Sequence, residues 1–180
     1  MLRIFFIICL FLSVHNDEPV ISWNESYKLS WNDFKAQPNN RSSAVAITAS
    51  GITFGFSITQ TDSNKVVSFT TEVHAHFYPE QSWYKIELAD HHVLGHEQLH
   101  FDITELHTRK FRQRISQLKV SNSIRSELKQ LHDTINKELA QMQNKYDSET
   151  DYSRNFETQA EWKIYVETEL KKLSKYKSVD

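Results

Sequence analysis

His96-Glu97-Gln98-Leu99-His100 sets two imidazoles one helical turn apart, with a carboxylate beside the first. On a helix, residues four apart point within about 40° of one another, so both rings can reach one metal ion. Neutral imidazole suits Zn2+, and a catalytic zinc site takes three protein ligands plus a water. The metal brings the pKa of that water to about 7. Glu97 adjoins the first ligand and is placed to take the proton of the attacking water, then return it to a leaving amine. That is the chemistry of a peptidase. Val93-Leu94-Gly95 before the motif and Phe101, Ile103 and Leu106 after it describe a half-buried helix. A Glu and two His are costly there without a role. The competing reading is a set of polar residues on an exposed helix face.

The third ligand is less direct. Glu105 stands about 180° from His96 around the same helix, and its expected role is a surface pair with Arg109. Asp102 also points away, and is expected to steady a ligand or a neighbouring helix. His107 returns to the ligand face but about 16 Å along the axis, too far without a break. No Gly follows His100 to allow the turn of the extended three-His motif. Glu157 and Glu161, on the last helix, are further candidates. His74 and His76 share one face of a strand and read as partly exposed; His91 and His92 read as the entry to the helix. Glu97-x-x-His100 also fits one quarter of a di-iron bundle, but no second copy is present.

Leu94-Gly95-His96-Glu97-Gln98-Leu99-His100-Phe101-Asp102-Ile103-Thr104-Glu105 resembles the signature of a bacterial family of secreted proteins of unknown function, predicted to be zinc-dependent proteases. Its hallmark is His-Glu-Gln-x-His-Phe-Asp. Tyr146-Asp147-Ser148-Glu149-Thr150-Asp151-Tyr152 is similar to the family's Tyr-Asp-x-x-Thr-x-His. Gln159-Ala160-Glu161-Trp162 is similar to its Gln-x-x-Trp, and Trp31-Asn32-Asp33-Phe34 to an early Trp-x-Asp-Phe. The resemblance implies a metal centre whose third position falls at Tyr152, where the family pattern has His. A phenol is a poorer ligand, because it must lose a proton with an ordinary pKa near 10. Tyr152 then binds as phenolate, orients water or substrate, or marks a weakened site.

The elements that must position these residues follow from periodicity. Alternation through Tyr27, Leu29 and Trp31 predicts a short strand. Ala44–Ala49 and Ile52–Ile58, around Ser50-Gly51, predict a β-hairpin, and a third strand runs from Lys65 to about Tyr78. In that strand Val73, Ala75 and Phe77 face one way, and Glu72, His74 and His76 the other. A helix of about 90–118 carries the motif. Ile124, Leu128, Leu131, Ile135, Leu139 and Met142 mark an amphipathic second helix, capped by Ser123 or Asn122. Residues 146–151 read as a break before a last helix of about 154–173.

Composition bounds the rest. The chain has 180 residues, 39% hydrophobic and 24% charged, suiting one folded domain. Three Gly leave no phosphate-binding loop, and a net charge of −2 provides no field for nucleic acid. Arg109–Arg114 is the basic patch and reads as a solvated helix face. Arg3 followed by the apolar run Ile4–Leu12 reads as a signal peptide or N-terminal anchor over 1–16, too short for a comfortable span. Its Cys9 is the only Cys, so neither disulfide nor thiol ligand serves the remainder.

The expectation is therefore one α+β domain over 17–180: a small N-terminal antiparallel β-sheet on the motif helix, then two long helices, a zincin-like plan. The expected protein is an exported, zinc-dependent peptidase acting on peptide or protein substrates, periplasmic or extracellular and possibly membrane-anchored. Substrate is expected to pair along a sheet edge, such as the strand ending at Phe77. The alternative is a catalytically weakened member acting as a binding or structural helical protein of the cell envelope.

Overall fold

The motif helix, α1, spans His91–Ile115 and starts where Asp90 takes an extended backbone and accepts a hydrogen bond from the Val93 amide. That capping satisfies one of the amides the first helical turn leaves unpaired. In the computed structural model, which describes residues 18–178, α1 is the central element. The leader of 1–16 lies outside the described residues. α2 (Ile124–Glu149) and α3 (Phe156–Lys172) pack along α1, and a small sheet covers another of its sides.

The strands are β1 (Ile21–Ser22), β2 (Ala46–Ile47), β3 (Ser50–Gln60), β4 (Val66–Phe77) and β5 (Trp83–Tyr84). One antiparallel sheet has the order β1-β4-β3, and β2 pairs separately with β5. The mixed α+β plan, with strands first and helices after, is as the periodicity predicts. So is the alternation in β4: Val73, Ala75 and Phe77 are buried, while His74 and His76 are partly exposed and Glu72 is exposed.

The hairpin is not where the sequence places it. Ser50-Gly51 opens β3 instead of turning the chain, and β3 pairs with β4 through a turn at residues 61–65. The 44–49 segment instead reaches β5, with the Lys85 amide donating to Val45 O at 2.8 Å. Both choices share an apolar alternation, so only the core decides which strand pairs with which. Tyr27–Trp31 is not a strand either. Its segment is tied side-on to α1 by the Leu29 amide donating to Gln98 Oε1 (2.8 Å), and Trp31–Asp33 form a 3-10 turn.

α1 is buried well beyond one stripe. Phe101, Ile103 and Leu106 meet Phe77 and Ala75 from the sheet and Val166 and Leu170 from α3. Burying a side chain such as Phe101 contributes about 2–3 kcal/mol. The polar residues of α1 are drawn into the same interior. Arg109 and Glu105 are 3% and 1% exposed, joined at 2.7 Å, so the pair expected on the surface is internal. Arg109 also donates to Leu170 O at 2.7 Å. Arg112 donates to Val73 O and Tyr176 O, and Arg114 grips Glu138 with two bonds. The basic run therefore ties α1 to its neighbours and is no solvated face. Among the described residues, no helix is long and apolar enough to cross a membrane.

Candidate metal centre

His96 and His100 lie one turn apart on α1 and turn their Nε2 atoms toward each other, 3.2 Å apart. Asp147, in the last turn of α2, brings Oδ1 to 3.1 Å from His96 Nε2 and 2.8 Å from His100 Nε2. These three atoms form a compact triangle, and the three residues group as donors that could hold one metal ion. A tetrahedral ion bound at about 2.0–2.1 Å spaces its donors by about 3.3 Å, close to the edges of this triangle. Two nitrogens and a carboxylate oxygen also suit Zn2+ chemically.

Both imidazoles are held by neighbours. Gln143 Nε2 donates to His100 O (3.1 Å) and Thr104 Oγ1 (3.3 Å), which turns Gln143 Oε1 toward His100 Nδ1. His100 Nδ1 must then be the donor, so Nε2 is the atom that the neutral ring would turn to a metal ion. Tyr146 is fully buried behind both rings, stacked on His96 at 4.4 Å and edge-on to His100 at 5.0 Å. Trp162 of α3 backs Tyr146 in turn and donates from Nε1 to Glu149 Oε2 at 2.9 Å.

The three donor groups also act on one another electrostatically. Burial opposes the charge of Asp147, but hydrogen bonds from His100 and His96 outweigh it and hold the carboxyl well below its usual range. Burial lowers the pKa of His100, yet the Asp147 hydrogen bond and the Glu97 charge prevail and raise it. Burial also pushes the Tyr146 phenol up, so this hydroxyl stays protonated.

Glu97 sits beside the triangle, 4% exposed, and its Oε2 has no hydrogen-bond partner. It shares with His96, His100 and Asp147 a cleft of about 670 Å³ walled by residues 43–48 and by Gln143. A buried carboxylate oxygen without a partner is costly unless something else occupies it. Here the residue that carries it lines a cleft together with the two imidazoles.

Tyr152 lines the same cleft and is 65% exposed. It is the middle of three consecutive left-handed residues, Asp151, Tyr152 and Ser153, at φ 49°, 53° and 70°. Such backbone costs about 1–2 kcal/mol per residue. The Tyr152 amide donating to Asp147 O (2.8 Å) and His92 Nε2 donating to Ser153 O (2.7 Å) hold it in place.

The remaining candidates divide cleanly. Glu157 and Glu161 are exposed on α3, and His74 and His76 stay on the sheet. His91 and His92 open α1 as its first two residues. His107 is buried against its own helix, its Nδ1 donating to Ile103 O at 2.9 Å. Asp102 accepts from Trp23 Nε1 (2.7 Å) and Gln98 Nε2 (2.9 Å), fixing the N-terminal segment, not a ligand.

Asp147 is the candidate donor that sequence reasoning passed over. It was legible in one respect: Asn136, Ala140, Gln143 and Asp147 form one row at spacings of three and four, flanking the apolar row of Leu139, Met142 and Tyr146. Reading 146–151 as a break hid it, because α2 in fact continues through Glu149.

The fold and this centre define a mixed α+β protein with a His-His-Asp donor group assembled from two helices. A family model described as bacterial protein of unknown function (DUF922) matches residues 24–154, and the chain belongs to that family. The matched region holds all three donors and Tyr152, and stops short of Trp162. No curated protein and no solved structure matches the chain.

Proposed function

We propose that the chain is an exported zinc-dependent peptidase of zincin-like plan, with His96, His100 and Asp147 as ligands and Glu97 as general base. The observation that carries this reading is the unpartnered, buried Glu97 Oε2 beside a three-donor triangle in one cleft. A structural zinc takes four protein ligands, whereas three donors leave one position for water beside Glu97.

When bound, the ion supplies Lewis acidity, polarising a carbonyl and acidifying its water. The chain's own groups do the rest. Glu97 Oε2 accepts the proton of the attacking water and delivers it to the departing amide nitrogen. Gln143 and Tyr146 keep the imidazoles from rotating, so nothing need reorganise as charge develops.

An extended substrate fits the cleft against residues 43–48, where β2 pairs on one side only. The strand end at Phe77 is unsuitable, since Ile21 and Ser50 flank it on both sides. The Arg3–Leu12 leader supports export to the periplasm or beyond.

The test is hydrolysis of casein by zinc-loaded chain. Wild type should cleave, and Glu97→Gln should lose at least about 100-fold in rate while keeping its metal. Equal hydrolysis by the two proteins defeats the assignment.

A further inference from the structure

Among the described residues, β3 is an edge strand with no strand paired on its outer side. The Tyr78 amide donates to Ala49 O at 2.9 Å, so Ala49 and every second residue after it turn their backbone groups toward β4. Ile52, Phe54, Phe56 and Ile58 therefore turn theirs outward. Two bonds agree: Ala75 O, opposite Ile52, accepts from the Trp23 amide, and Val73 O, opposite Phe54, accepts from Arg112. The outer edge of β4 is thus covered, by β1, by Arg112 and by Asn122, whose Oδ1 accepts from the Val66 amide. The outer edge of β3 has no such cover among the described residues.

Natural edges are blunted by charge, proline or a bulge. Ser50–Gln60 contains no charged residue and no proline, and its register is unbroken until Thr59/Gln60. It is also nearly palindromic about Gly55: Phe54 mirrors Phe56, Thr53 mirrors Ser57, Ile52 mirrors Ile58. Gly55 itself is unexplained within one chain. Its φ is not positive, and an added Cβ would meet nothing within 4 Å. A mid-strand Gly costs about 0.5–1 kcal/mol against Ala, and often marks a close approach by another backbone.

We infer that β3 pairs antiparallel with β3 of a second copy of this chain, across a two-fold axis at Gly55. In that register the outward residues meet each other: Phe54 opposes Phe56 of the second copy, and Ile52 opposes its Ile58, as hydrogen-bonded pairs. The Phe and Ile side chains of both copies line the inner face, where each copy already packs them on its helices. The two Gly55 residues meet as a non-hydrogen-bonded pair, with Cα atoms about 4.5 Å apart. Thr53 faces Ser57 of the second copy on the solvent side. The interface is isologous and closed, so it ends at a dimer.

Sedimentation of the full chain at micromolar concentration tests this, with thermal melts confirming that each variant is folded. Wild type should be dimeric. Gly55→Lys should be monomeric, since it sets like charges against each other on the axis. Thr53→Lys with Ser57→Lys should also be monomeric, whereas Thr53→Lys with Ser57→Glu should return the dimer by pairing opposite charges. Gly55→Cys, in a chain carrying Cys9→Ser, should oxidise to a covalent dimer, while Ser68→Cys on the β4 side should not. The crosslink keeps the test decisive should Gly55→Lys fail to fold. A monomeric wild type, a dimeric Gly55→Lys, or no crosslink at Gly55→Cys overturns the inference. A monomer whose casein hydrolysis is lost in Gly55→Lys would instead give this edge to substrate.

Discussion

The phenol ring of Tyr146 lies on the imidazole of His96, centroids 4.4 Å apart and planes 21° from parallel. The hydroxyl makes only a 3.4 Å bond to His96 O, so the ring carries the contact. Tyr146→Phe should therefore hold stability within about 1 kcal/mol, whereas Tyr146→Ala should lose about 4 kcal/mol by opening a cavity. The alanine variant should also weaken zinc binding by about 10–100-fold, because His96 loses the surface that orients it. Urea unfolding and zinc titration of both variants check the two halves.

The internal Glu105–Arg109 pair predicts a specific non-additivity. Glu105 is raised in pKa by burial, with Arg109 and Arg112 pulling the other way. Its Oε2 has no partner, so it depends on Arg109. Arg109→Met should cost about 3–5 kcal/mol, by stranding a buried carboxylate. Adding Glu105→Leu should return much of that loss. Urea unfolding of the two single variants and the double variant gives the coupling energy.

His107 predicts an acid-sensitive increment. Burial pushes its pKa down to about 4, despite the bond to Ile103 O and the nearby Glu138. The unfolded chain binds this proton near pH 6.5, so it holds more protons than the folded state between the two values. The stabilising contribution is complete above pH 6.5 and declines as pH falls toward 4, by on the order of 3 kcal/mol. His107→Gln should flatten that stretch of the stability–pH curve. Comparing it with wild type by urea unfolding at pH 7 and pH 4.5 cancels the titration of the other groups. Parallel curves would contradict the assignment.

Much of α1 was legible because its chemistry and periodicity coincide in one segment. His96, Glu97 and His100 share a face through spacing alone, and the helix ends lie close to their expected positions. The strand pairing was not legible. Ala44–Ala49 and Ile52–Ile58 alternate equally well, and the deciding contacts come from Phe77, Tyr84 and α1, remote in sequence. Charge misled in the same way. Arg109 and Glu105 look like a solvated i, i+4 pair, and only the packing of α3 and Trp23 over them makes them internal. Asp147 depended on where α2 stops, and polar Ser148-Glu149-Thr150-Asp151 suggested an earlier stop than Thr150 provides.

The third donor separates the two readings of the centre most directly. Zinc content of the purified full chain, with affinity by competition against a chelator, should give one ion per wild-type chain. Asp147→Ala should weaken that binding by more than about tenfold, and Tyr152→Phe should leave it unchanged. Wild-type zinc affinity in Asp147→Ala, or its loss in Tyr152→Phe, would contradict a centre built from His96, His100 and Asp147.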